Sequence, residues 1–252
     1  MRTQFSRFTV VTLLCIQFIG MQAKPSSIPT TYIVSIGISD YKCINSLRLP
    51  SQDAQAVASL FIAEKSKVTL LTNQQATKEN IVKTLNSVFM QAKPDDMVLL
   101  YFSGHGFPEG FCTYTTNCKG GLNLTFEDIK TIYAKSKAKR KLIFADACFS
   151  GAIRSEAKNK KSAEILKDQN IMLFLSSRTN ERSFERSDMK NGFFTSFLIK
   201  GLQGKADSNK DKVITARELF NYVSKNVIKL SKDKQHPVMW GKFSDNLIII
   251  KK

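Results

Sequence analysis

Two short segments hold side chains suited to nucleophilic catalysis. Ser103-Gly104-His105-Gly106 carries one of the two His in the chain, and Asp146-Ala147-Cys148-Phe149-Ser150-Gly151 carries one of the five Cys. A thiolate is a strong nucleophile, and an imidazole can take its proton and later hand one to a leaving group. Gly104 and Gly106 allow a sharp turn and a close approach of backbone to substrate. The N–H groups of Gly106 and Cys148 are candidates for an oxyanion hole. A satisfied histidine and an inert buried thiol are the plainer reading, but it gives no reason for glycines on both sides of His105. His236 precedes Pro237 in a polar stretch with no nucleophile beside it.

Such a pair works only if both residues reach one rim. The apolar, β-branched runs at 32–38 (YIVSIGI), 68–71, 97–103 (MVLLYFS), 142–145, 171–177 and 247–250 predict strands. Apolar residues at helical spacing predict helices over 50–63, 77–92, 125–136, 192–203 and 215–230. Thr77 is the expected N-cap of the second, with Asn80 three residues on. This alternation predicts an α/β domain: a mainly parallel sheet of about six strands, with helices on both faces. Ligands bind such sheets outside the carboxyl ends of the strands, which is where His105 and Cys148 fall.

Two carboxylates belong to the same argument. Asp146 lies two residues before Cys148, so in a strand it shares a side with it. Asp53 sits in the first turn of the first helix. A pocket holding them would select a cationic side chain through charge-assisted hydrogen bonds. The plainer roles are a helix-dipole charge for Asp53 and a turn-shaping carboxylate for Asp146. Arg178, just past the fifth strand, would instead suit an acidic substrate.

SGHG after one apolar strand and DACFSG after another together resemble the caspase-like cysteine peptidases, the clan of caspases, metacaspases and bacterial relatives (peptidase family C14). The similarity extends to YIVSIGISDY, to SQDA at the first helix and to GFFTSFLIKGLQGKAD. It implies a caspase-haemoglobinase fold, a His105/Cys148 dyad, polypeptide substrates and no cofactor in the chemistry. It also implies an acidic pocket for Lys or Arg before the scissile bond, built from Asp53, Ser103, Asp146 and Ser176 or Ser177. The rival from another class is a catalytically silent scaffold of the same fold that binds partners.

A segment at 154–170 is polar and holds Arg154, Lys158, Lys160, Lys161 and Lys167. Caspase-like proteins are often cut in this region, so it is a candidate for self-processing, or else an uncut surface loop. Asp207, Asn209, Asp211, Thr215 and Glu218 have the spacing of an EF-hand calcium loop, but Lys212 stands where a glycine should make the turn. The alternative is a turn followed by a Thr215/Glu218 capping box. The resemblance gives calcium no support, because 111–121 carries no acid.

Cys112 and Cys118 bracket a short loop after His105. They are expected either to form a small disulfide or to stay as two thiols, with Cys43 and Cys148 reduced. Asn123-Leu124-Thr125 is a glycosylation sequon, meaningful in a eukaryotic host. Residues 1–23 read as a secretory signal peptide: Arg2 and Arg7, then an apolar run (VVTLLCIQFIG), then Met21-Gln22-Ala23. The domain proper is then 24–252, secreted or periplasmic, with no stable membrane insertion after cleavage. The chain has 38 Lys+Arg against 21 Asp+Glu and a net charge of +17. The excess, including the run at 135–141, reads as solvated basic faces, since no nucleic-acid recognition motif accompanies it.

Overall fold

The structure, a computed structural model, describes residues 29–148, 170–178, 181 and 188–252. The signal-peptide expectation for 1–23 and nearly all of the 154–170 segment lie outside the described residues. Along the chain run β1 (Thr31–Gly37), α1 (Pro50–Ala63), β2 (Lys67–Thr72), α2 (Lys78–Phe89), β3 (Met97–Phe107), β4 (Gly110–Phe111), β5 (Leu124–Thr125), α3 (Phe126–Lys135) and β6 (Arg140–Cys148). There follow β7 (Ile171–Leu175), α4 (Phe193–Lys200), β8 (Val213–Thr215), α5 (Ala216–Leu230), β9 (Val238–Trp240) and β10 (Ile248–Lys251).

The main sheet has the order β2-β1-β3-β6-β7-β9. Its first five strands are parallel, and β9 is antiparallel to β7. Strand residues alternate between two cores. Tyr32, Val34, Ile36, Val98, Leu100 and Phe102 pack with Ile81, Leu85 and Phe89 of α2 and Ile129 and Tyr133 of α3. Ile33, Leu99, Tyr101 and Phe144 pack on the other face with α1, α4 and α5. Both faces are therefore covered, as the near-continuous apolar strands require. Thr77 caps α2 by accepting from Asn80 N–H at 3.3 Å. Among the described residues no helix is long and apolar enough to cross a membrane.

Three expectations about elements need correction. The 247–250 run forms β10, which pairs antiparallel with β8 in a separate two-stranded sheet. Its isoleucines cover α1 and α5 rather than extending the main sheet. The sixth main strand is β9, drawn from a segment too short to stand out by composition. The helix expected over 192–203 is regular only to Lys200. It continues as a π-helical turn, Gly201–Lys205, ended by Gly204 at φ 118°. Such a left-handed value suits only glycine well.

Candidate active site at the carboxyl edge of the sheet

β3 and β6 both run beyond their apolar stretches. The parallel ladder continues through Ser103↔Asp146 and Gly104↔Ala147 to His105↔Cys148. His105 and Cys148 are thus paired position to position on neighbouring strands, whose spacing is about 4.8 Å. They share one rim, at the carboxyl ends.

His105 is half-buried and held from three sides. Its ring Nε2 lies 2.9 Å from Asn45 O. A carbonyl can only accept, so Nε2 carries the proton and the neutral ring keeps Nδ1 as its basic nitrogen. The His105 N–H donates to Tyr41 Oη at 2.8 Å, and the two rings lie 5.0 Å apart. Burial pushes the Tyr41 phenol far up, so it stays neutral. Gly104 is required beneath this contact. It has φ +155°, and a Cβ there would fall 2.5 Å from Tyr41 Oη. Cys112 N–H donates to His105 O at 3.0 Å. That bond makes Gly106↔Phe111 a non-hydrogen-bonded pair of the β3/β4 ladder. The Gly106 N–H is therefore turned away from β4.

The structure brings Asp53, Ser103 and Asp146 together. Ser103 Oγ donates to Asp53 Oδ2 at 3.1 Å. Asn191 Nδ2 and Gly192 N–H donate to Asp53 Oδ1 at 2.8 and 3.1 Å. Thr195 N–H and Oγ donate to Asp146 Oδ2 at 3.2 and 2.7 Å. Asp53 is only 2% exposed and Asp146 7%. Burial, and then the charge of Asp146, raise the Asp53 pKa well above the usual carboxylate range. The donors from Asn191, Gly192 and Ser103 pull it back in part. A Cβ on Gly192 would meet Asp146 Oδ2 at 2.8 Å, so close backbone approach at 192 depends on glycine. Nothing in the sequence reading singled out Asn191, Gly192 or Thr195 as site residues. The available signal was the NGFFT string at the start of α4, which reads as an ordinary helix beginning.

Ser176 and Ser177, just past β7, are buried. Ser176 Oγ accepts from Ala147 N–H at 3.2 Å, holding the backbone just before Cys148. Ser177 Oγ donates to Glu181 O at 3.5 Å. Arg178, the alternative for acidic substrates, has a side chain 58% exposed and ion-paired with Glu181 at 3.7 Å. His236 also binds Glu181, through Nδ1 at 2.8 Å, and its Nε2 lies 3.1 Å from Asp233. It ties the Asp233–His236 turn to Glu181. A groove of about 630 Å³ lined by Phe61, Glu64, Asp95, Arg140 and Ile250 lies near the starts of β1 and β6, away from the site.

The expected Cys112–Cys118 disulfide is incorrect. Cys118 is bonded to Cys43, across a sequence separation of 75. Cys112 is a buried free thiol. The reason is direction: Cys112 leaves β4 pointing into the core shared by Tyr41 and Phe111. The 41–45 segment, by contrast, lies beside the 112–118 loop, with Lys42 N–H bonded to Tyr114 O at 3.0 Å. The disulfide therefore staples down the segment that supplies Tyr41 and Asn45 to His105.

At the loop with calcium-binding spacing, Thr215 and Glu218 form the capping box of α5. Glu218 Oε1 also accepts from Ser208, and Asp207 accepts from the Asp211 and Lys212 amides. Asn209 Oδ1 accepts from the same Asp211 amide. Lys212 takes φ 64° where glycine would be easier. Among the described residues, no group of three or more His, Cys, Asp or Glu is placed to hold a metal ion.

No curated protein matches the chain. Among solved structures, protein GSU0716 from Geobacter sulfurreducens aligns with a TM-score of 0.60 and 16% identity, over 86% of this chain and 95% of that one. At that identity the likeness shows a shared fold. The family model described as the caspase domain of the C14 peptidases matches residues 31–248. That span takes in every strand of the main sheet and the rim where His105 and Cys148 are paired, and so the chain belongs to the peptidase C14 caspase-domain family, cysteine peptidases whose substrates are polypeptides.

Proposed function

We propose that the protein is an exported cysteine endopeptidase that cleaves after Arg or Lys. The observation that carries this reading is the His105↔Cys148 pairing at the open end of β3 and β6. With Nε2–H committed to Asn45 O, Nδ1 takes the Cys148 proton. The thiolate attacks the substrate carbonyl, and the Gly106 and Cys148 N–H groups hold the oxyanion. His105 returns the proton to the departing amine, breaking the C–N bond. Water, deprotonated by the same nitrogen, then hydrolyses the thioester and restores Cys148. The chemistry uses thiol, imidazole and backbone amides, and gives calcium no part.

The buried carboxylates of Asp53 and Asp146 support a basic residue at the substrate position before the scissile bond (P1). A guanidinium can bridge two carboxylates with its planar fork, and an ammonium can sit between them. Ser103 belongs to this pocket through Asp53. Ser176 and Ser177 join it from the end of β7, where Ser176 also holds the Ala147 backbone. The Cys43–Cys118 disulfide supports export, since such bonds persist in oxidising compartments. It fits the signal-peptide reading of 1–23. The basic residues of 154–170 would give the same pocket a site for self-cleavage.

A peptidyl acyloxymethyl ketone with Arg at P1 will add once, at Cys148, as read by peptide mass mapping. Cys148→Ala will take up none. Intact masses will show self-cleavage fragments in the wild type only. An unlabelled wild type, or equal labelling by the reagent with Asp at P1, overturns the reading.

A further inference from the structure

Asp146 Oδ2 accepts two hydrogen bonds from one residue. Thr195, in the first turn of α4, donates to it through its N–H at 3.2 Å and its hydroxyl at 2.7 Å. The Thr195 hydroxyl has one proton, and that proton is spent on Asp146. Its contact with Tyr101 Oη, at 2.6 Å, must therefore be one in which Tyr101 donates. Tyr101 and Thr195 are both fully buried. The result is a directed chain from the floor of the sheet, Tyr101 to Thr195 to Asp146. It holds one oxygen of the Asp146 carboxylate in a set direction. Two of its links end on a buried carboxylate oxygen, where hydrogen bonds are strongest.

We infer that Thr195 is a specificity-determining positioning residue, which with Tyr101 behind it aims the Asp146 carboxylate at the P1 cation. This rests on the proposed reading of Asp146 as a P1-binding group. Thr195 touches no substrate itself. Its hydroxyl acts by holding one carboxylate oxygen, so its loss is felt where the substrate's charge is felt.

The test uses the full chain and two matched peptides, one with Arg at P1 and one with citrulline, its neutral isostere. In Thr195→Val, kcat/KM for the Arg peptide will fall roughly 10–100-fold, the worth of a hydrogen bond to a charged group. The fall will sit mainly in KM. The citrulline peptide will lose much less, so the ratio between the two peptides shrinks. Thr195→Ser, which keeps the hydroxyl, will restore most of the ratio. Tyr101→Phe will lower it in the same direction by a smaller factor, and covers the case in which Thr195→Val folds poorly. Asp146→Asn separates the two ideas. If it collapses the ratio and Thr195→Val and Tyr101→Phe do not, the positioning role is overturned and the pocket stands. If Asp146→Asn leaves the ratio intact, the pocket reading fails and this inference fails with it.

Discussion

Replacing His105 by Ala will lower kcat/KM for a P1-Arg peptide by at least ~10³-fold, because one ring both makes the thiolate and protonates the leaving amine. The remaining activity will have a different pH profile. Without an imidazole to take its proton, Cys148 must ionise unaided, so the residual rate will climb with pH toward the ordinary thiol pKa of about 8.5. The variant will still fold. His105 is only half-buried, and its hydrogen bond to Tyr41 is made through its backbone N–H, which Ala keeps although the ring contact is lost. Stopped assays between pH 6 and 9, beside circular dichroism, give the answer. A rate within tenfold of wild type, or an unchanged pH profile, would remove His105 from the reaction.

Neutralising the pocket will weaken substrate use and strengthen the fold. In the double variant Asp53→Asn/Asp146→Asn, kcat/KM for P1-Arg will fall by about 10²–10³-fold, as expected when a buried cation loses both counter-charges. Stability moves the other way, and Asp53→Asn alone should show it. The Asp53 pKa is raised in the folded state, by burial first and by Asp146 second. The native state thus holds that proton more tightly than the unfolded chain does. Its contribution to stability is full below the unfolded carboxyl pKa of about 3.9 and is lost as pH rises through the folded value. Asn does not titrate. Its carbonyl can accept from Asn191 and Gly192, and its amide can donate to Ser103 Oγ, which turns to accept. Thermal unfolding of Asp53→Asn will therefore match wild type near pH 4 and exceed it increasingly toward pH 8. Each kcal/mol gained raises Tm by about 2–4 °C in a chain of this size. A difference that does not change with pH would refute the buried-charge account.

The placement of His105 and Cys148 on one rim was legible because polar residues interrupt apolar strands at one end only. MVLLYFS and the run into Asp146 announce their direction, and a parallel sheet sends both ends to the same rim. The extension of β3 and β6 through Gly104, His105 and Cys148 was not legible. Glycine and histidine are poor strand formers, and the neighbouring strand holds them in register. Asn191, Gly192 and Thr195 were hidden for a related reason. Such residues at a helix start usually serve that helix, whereas here their donors turn to Asp53 and Asp146. The Ile-rich end of the chain said strand without saying which sheet. The pairing of Cys43 with Cys118 depends on two loops meeting above the sheet. Spacing along the chain favoured the nearer partner.

The Cys43–Cys118 staple and the proposed Cys148 nucleophile make opposite demands on their surroundings. Strong thiol reagents that keep the nucleophile awake also unfasten the loop that steadies its imidazole partner. Strong oxidants fasten the loop and silence the nucleophile. Turnover set against the thiol-to-disulfide ratio of the medium should therefore trace a hill, with its crest where one sulfur pair stays joined and the lone sulfur stays bare.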